Sequence, residues 1–188
     1  MTSENRKQRI YVASSWRNER QPEVVAALDA AGHDVYDFRH PAPGNDGFHW
    51  SEIDRDWRSW SPEQFRQALR HPAAVVGFRA DMGALAACDA CVLVLPCGRS
   101  AHLELGFAVA ARKRTVVFMP RAEEPELMYR MCGAVCTTLN EVLAMLGPTP
   151  PASATPEDVR RYVDGVALTT GMDPEFAATS AAAVRARS

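Results

Sequence analysis

The chain has 188 residues, 47% apolar and 23% charged, with a net charge of −2. That length suits one domain with a proper core, and the near-neutral balance gives no electrostatic basis for binding a nucleic-acid polymer or an anionic membrane. No window approaches the ~18 apolar residues of a membrane span, and the polar start M-T-S-E-N-R-K-Q-R lacks a secretory leader, so a cytoplasmic protein is expected.

Ile10–Ser14 reads as a short apolar strand, and Pro22–Ala31 as a helix with proline in its first turn and Gly32 as its stop. His33–Phe38 alternates like a second strand, completing a βαβ unit and implying a parallel sheet. Residues 39–60 hold prolines and glycines, then aromatics scattered among charges, and read as a long excursion from the sheet. A helix is expected from Ser61 to about residue 70 and a second from Val76 to Cys88, then a strand over Ala90–Leu95. After the turn P-C-G-R-S come a helix over Ala101–Arg112 and a strand over Thr115–Met119. A short helix at Pro125–Met131, a last strand at Ala134–Thr137 and a helix at Leu139–Leu146 follow.

Five strands alternating with helices predict an α/β fold with an open, doubly wound, five-stranded parallel sheet of Rossmann or flavodoxin type. Residues 1–147 make up this domain, and 148–188, opening on P-T-P-P-A-S-A-T-P, read as a linker and a C-terminal extension, helical or partly disordered. The dinucleotide fingerprint G-x-G-x-x-G is absent after the first strand. The five cysteines (88, 91, 97, 132 and 136) are odd in number and lie in apolar surroundings. They read as reduced, buried small hydrophobes rather than metal ligands, and no metal site is expected.

In such a sheet, ligands bind beyond the carboxyl ends of the strands. Glu104 is the lone formal charge between Arg99 and Arg112. With Ser100 as N-cap it would be the fourth helical residue, where the bland account is a dipole-favoured surface acid. The apolar residues on nearly every side suggest burial instead. Asp81 reads as a first-turn acid, with the same bland account. The first loop, S-S-W-R-N-E-R-Q, offers serines, Arg17 and Arg20 for an anionic or hydroxylated ligand, and Trp16 as core lid or ring platform. Phe48, His49, Trp50, Trp57 and Trp60 either stack on a base or form a small core that packs the excursion down, the latter for at least two of them.

Three stretches, I-Y-V-A-S-S-W-R-N-E-R-Q, D-M-G-A-L-A-A-C-D-A-C-V-L-V-L and S-A-H-L-E-L-G-F-A-V-A-A-R-K-R-T-V-V-F, resemble the nucleoside 2-deoxyribosyltransferase superfamily, which includes nucleoside 5′-monophosphate N-glycosidases. The resemblance covers residues 9–146. It implies Glu104 as nucleophile at the anomeric carbon, Tyr11 as its orienting partner, and Asp81 as the acid that handles protons at the departing base. It further implies Trp16 as a wall against the base, with Ser15 and Ser100 toward a phosphate and Arg17 or Arg20 supplying the charge. Apart from the resemblance, His102 reads as a helix-surface histidine or a substrate contact, and Trp50 of the excursion as a further substrate contact. No cofactor is implied. The expected partner is a small nucleoside or nucleotide, and the expected assembly a homodimer or higher homo-oligomer.

Base-exchanging members carry an aspartate in the turn before the Glu104 helix, where this chain has P-C-G-R-S. That departure favours hydrolysis of the N-glycosidic bond over 2-deoxyribosyl transfer between bases. Monophosphate hydrolases borrow a serine near the helix after the fourth strand, and P-E-L-M-Y-R-M has none. Rival expectations are an NAD glycohydrolase of TIR-like type and a nucleotide sensor that binds without turnover.

Overall fold

The computed structural model describes residues 7–147. The expected extension over 148–188 lies outside the described residues. Five strands are present, β1 (Arg9–Ala13), β2 (Asp34–Asp37), β3 (Ala90–Val94), β4 (Arg114–Phe118) and β5 (Ala134–Cys136). Five α-helices accompany them, α1 (Gln21–Ala30), α2 (Pro62–Ala68), α3 (Pro72–Ala87), α4 (Arg99–Ala110) and α5 (Leu139–Leu146). All strand pairs are parallel, in the order β2-β1-β3-β4-β5. The order reverses at β1, which opens a crevice between the carboxyl ends of β1 and β3.

Successive strand residues point to opposite faces, so each strand divides its side chains between two cores. Ile10 and Val12 join Val24 and Leu28 of α1 and Val142, Met145 and Leu146 of α5 on one face. Tyr11 and Ala13 join Leu85 of α3 and Ala101, Leu105 and Ala108 of α4 on the other. The sheet is thus doubly wound, as the sequence predicts. Four of the cysteines are buried in these cores, Cys97 is partly exposed, and all five are free thiols. Among the described residues no helix is long and apolar enough to cross a membrane.

Several local expectations need correction. Helix α4 starts at Arg99 with Gly98 as N-cap, so Ser100 lies inside its first turn and does not cap it. Glu104 is therefore its sixth residue, beyond the reach of an N-terminal dipole account. Helix α3 starts at Pro72, four residues before the expected Val76, because His71 caps it by accepting from the Ala73 amide. Asp81 consequently sits in mid-helix rather than in a first turn. Residues Leu127–Met131 form a 3-10 turn in place of the expected short α-helix. The excursion between β2 and α2 carries two further 3-10 turns, Trp50–Glu52 and Trp57–Ser59.

Candidate active site: two carboxylates and two tyrosines

Parallel register sets Tyr11 of β1 beside Tyr36 of β2. Both rings lie on the α3/α4 face, stacked with centroids 5.3 Å apart and planes 16° from parallel. Helix α3 brings Asp81 to this pair, and the Tyr36 hydroxyl donates a 2.9 Å hydrogen bond to Asp81 Oδ1. Helix α4 contributes Glu104, partly buried next to the fully buried Leu105 face of the same helix. Four elements thus converge on two acids and two phenols.

The electrostatics of this group follow from burial. Loss of solvent pushes the Glu104 carboxyl up to about 7, the charge of Asp81 adds to the rise, and the Tyr11 phenol opposes it. The Asp81 carboxyl is also raised by burial, with the Tyr36 hydrogen bond pulling the other way. Tyr11 and Tyr36 are themselves pushed above the usual phenol range, first by burial and then by the neighbouring acids. The Tyr11 hydroxyl is shut off from solvent and has no partner in full hydrogen-bond geometry. It nonetheless lies near enough to Glu104 to moderate its charge. Two interacting acids of this kind titrate as a pair.

The crevice between β1 and β3 is closed by the loop after β1. Ser14 Oγ donates to Val94 O at 2.9 Å. The Asn18 amide, 3% exposed, lies near Ser14 Oγ, Val94 O and Pro96 O at 3.0, 3.0 and 3.1 Å. Arg39, at the start of the excursion, donates from Nη2 to the Ser15 and Asn18 carbonyls, each at 2.8 Å. Trp16 stands above this frame, 40% exposed. Its ring meets Phe38 edge-on at 5.2 Å and His49 at 4.1 Å. Gly47, with φ of +73°, permits this shelf, because a side chain there would run into the Phe38 carbonyl and the Trp16 ring.

The remaining expected site residues are dispersed. Ser15 Oγ accepts from the Arg17 amide at 3.2 Å. Arg20 sits 3.6 Å from Glu23 in an exposed ion pair. Ser100 is exposed in the first turn of α4. The His102 ring nitrogens lie 3.0 Å from Gly98 O and 2.9 Å from the Tyr129 hydroxyl, so His102 ties α4 to the 3-10 turn at Leu127–Met131. Arg17 and Trp50 line a separate cavity with Trp57, Arg58, Trp60 and Phe65. Trp50 also meets Phe48, Trp60 and Phe65 edge-on, the small packing core expected for some of these aromatics. Among the described residues no group of three or more His, Cys, Asp or Glu gathers to hold a metal.

No family model matches the chain, and no curated protein matches it in sequence. One similar solved structure is a 2-deoxyribosyltransferase. It comes from the psychrotolerant bacterium Bacillus psychrosaccharolyticus and is described as a biocatalyst for nucleoside synthesis. The likeness has a TM-score of 0.49 at 21% identity, covering 71% of this chain and 89% of that one. The chemistry of this chain rests on its own side chains.

Three residues of the site went unread in the sequence. Tyr36 was visible only as one member of the alternating run H-D-V-Y-D-F; its place beside Tyr11 depends on register. Asn18 and Arg39 are polar residues of a loop and an excursion, and nothing local marks the first as buried or either as a connector. Arg39 even keeps its Nε buried without a partner, a cost accepted to hold the two loops together.

Proposed function

We propose that the protein cleaves the N-glycosidic bond of a nucleoside or nucleotide by double displacement at Glu104. The observation that carries this reading is the pair of partly buried carboxylates, each faced by a tyrosine. In its ionised form Glu104 attacks the anomeric carbon, the bond from that carbon to the base nitrogen breaks, and a glycosyl ester forms. Asp81, its own pKa raised, delivers the proton that the leaving base needs and later takes one from the acceptor. Tyr11 donates to the Glu104 carboxylate, and Tyr36 holds Asp81 in place. Trp16 supplies a flat wall for the base. An N-cap serine for a substrate phosphate is not part of the proposal, since Ser100 does not cap α4.

The acceptor decides the reaction. An aromatic shelf that holds a departing base can equally hold an incoming one, so 2-deoxyribosyl transfer would use the same side chains, without the turn aspartate that the resemblance associates with base exchange. Nothing in the site selects water over a second base, and transfer replaces hydrolysis as the first reading to test. Hydrolysis is the outcome where no acceptor base is present. We include in the proposal a cytoplasmic location, consistent with five free thiols, and a homo-oligomer, consistent with Leu103 being 76% exposed on α4. Residues 1–147 are proposed as the catalytic domain.

The test is chromatography of nucleosides, 5′-monophosphates and NAD incubated with the protein, with and without a second free base. A new nucleoside formed only with the added base establishes transfer, and free base and sugar without it establish hydrolysis. Either product must vanish in Glu104→Gln. Binding with no product across the panel overturns the reading.

A further inference from the structure

The cavity lined by Arg17, Trp50, Trp57, Arg58, Trp60 and Phe65 is distinct in composition from the carboxylate cluster and has a volume of about 370 Å³. It is open to solvent, bounded by the exposed Arg17, Arg58 and Phe65 and the half-buried Trp50, Trp57 and Trp60. Its size falls within the ~300–1,000 Å³ of small-molecule sites. Its walls combine two chemistries. Trp50 meets Trp60 and Phe65 at 5.7 Å in each case, with interplanar angles of 79° and 66°, so these rings touch by edges rather than by stacking. Arg58 lies over the Trp57 ring at 4.5 Å.

The two guanidinium groups come from different segments, the loop after β1 and the second 3-10 turn of the excursion. Among the described residues neither forms an ion pair with a carboxylate. Asp54, which reaches this group of rings, is already engaged by Trp60 Nε1 at 2.6 Å and by the Asp56 amide at 2.9 Å. Arginines without acid partners beside exposed aromatic edges suit a ligand that is flat at one end and anionic at the other. The cavity also adjoins the Trp16 shelf, because His49, next to Trp50 in the chain, packs on Trp16 at 4.1 Å.

We propose that this cavity is a nucleotide subsite, which takes the heteroaromatic ring of a nucleoside phosphate against its indoles and the phosphate on Arg17 and Arg58. That chemistry has two sources. One is the distal half of a dinucleotide substrate whose other half reaches Glu104, a version that rests on the proposed glycosyl chemistry. The other is a free mononucleotide bound alongside the substrate, which does not.

Calorimetry on the full chain, carrying Glu104→Gln to prevent turnover, with AMP, adenosine and inorganic phosphate separates these ideas. Saturable AMP binding is expected, with adenosine and phosphate each at least about tenfold weaker, since one lacks the anion and the other the ring. AMP should also change the tryptophan emission, as three of the four tryptophans line the cavity. Arg58→Gln and Arg17→Gln, exposed changes checked for folding by circular dichroism, should each weaken AMP about fivefold or more. Absence of AMP binding, equal binding of phosphate alone, or AMP affinity unchanged in both arginine variants overturns the proposal. In the active protein, AMP that competes with NAD identifies the dinucleotide source, and AMP that leaves KM unaltered identifies a separate nucleotide. AMP binding without any product would sink the glycosyl reading and leave the subsite standing; product without AMP binding would do the reverse.

Discussion

Glu104 is the residue on which pH, stability and activity meet. Its carboxyl is raised from 4.5 to about 7, so the folded chain holds a proton there that the unfolded chain has released between those values. The contribution of this group to stability is therefore fully present below pH 4.5, falls as pH rises toward 7, and levels off above it. Glu104→Gln removes this loss and should gain up to about 3 kcal/mol above pH 7 and nothing below 4.5, read by urea unfolding across the range. The same variant should lose about three orders of magnitude in base release. Wild-type kcat/KM should climb with pH through about 7, as the proposed nucleophile ionises. Tyr11→Phe tests the facing phenol. It removes a buried hydroxyl without a full partner, so stability should hold or rise by about 1 kcal/mol. Because the phenol opposes the rise of Glu104, its loss should move the acid limb to higher pH and lower the rate. Unchanged activity and an unmoved limb would remove Tyr11 from the mechanism.

Among the elements, the excursion owes its place to α3. A methyl group on Gly77 would approach Phe48 Cβ to 2.6 Å and its ring to 3.0 Å, so the bare helix surface at Gly77 is what lets Phe48 lie down. Gly77→Ala gains about 1 kcal/mol of helix propensity but overpacks this seat, at a cost of about 1–3 kcal/mol. Limited proteolysis should then cut residues 39–60 faster than in the wild type, and an unchanged cutting rate would show that Phe48 is not the anchor. The strand–helix alternation was legible in the sequence because each strand is a compact apolar run flanked by turn residues. Helix starts were less so. Gly98 caps α4 from an extended backbone with no side-chain signal, so Ser100 drew the cap assignment two residues late. His71 caps α3 through its ring nitrogen, which an ordinary search for Ser, Thr, Asp or Asn passes over.

For the molecule as a whole, the end of α5 is tied into the sheet. Gln8 Nε2 donates to Leu146 O at 2.6 Å, and Arg114 Nη1 donates to Met145 O and Gly147 O at 3.3 Å each. These bonds fasten α5 to the sheet as far as Gly147, where we propose that the domain ends. A chain ending there should unfold in one cooperative transition, with the same pH dependence as the full chain, by circular dichroism in urea. A broadened or pH-insensitive transition would mean that the domain boundary is misplaced. The homo-oligomer is checked at the same scale. Sedimentation at micromolar concentration should exceed the monomer value, and Leu103→Glu, on the exposed face of α4, should reduce it. A wild type that sediments as a monomer removes the oligomer from the proposal.

The sequence by itself determined the class of fold, the two-sided burial of each strand, and the oddity of Glu104. Those features are local: apolar runs of strand length, residues alternating between two faces, and one acid in an apolar helix. The resemblance already implied Tyr11 and Asp81 beside that acid, and tertiary structure added Tyr36 and the contacts that hold the group together. Tyr36 and Asp81 are 45 positions apart, and they meet only because the β1–β2 register sets Tyr36 beside Tyr11 while α3 packs its middle turn over that face. The unplanned-looking aromatics of the excursion likewise became an arginine-lined cavity only when the loop after β1 came to lie against them. Contacts between distant segments depend on register and on the angle at which helices settle on the sheet, and short-range patterning carries neither.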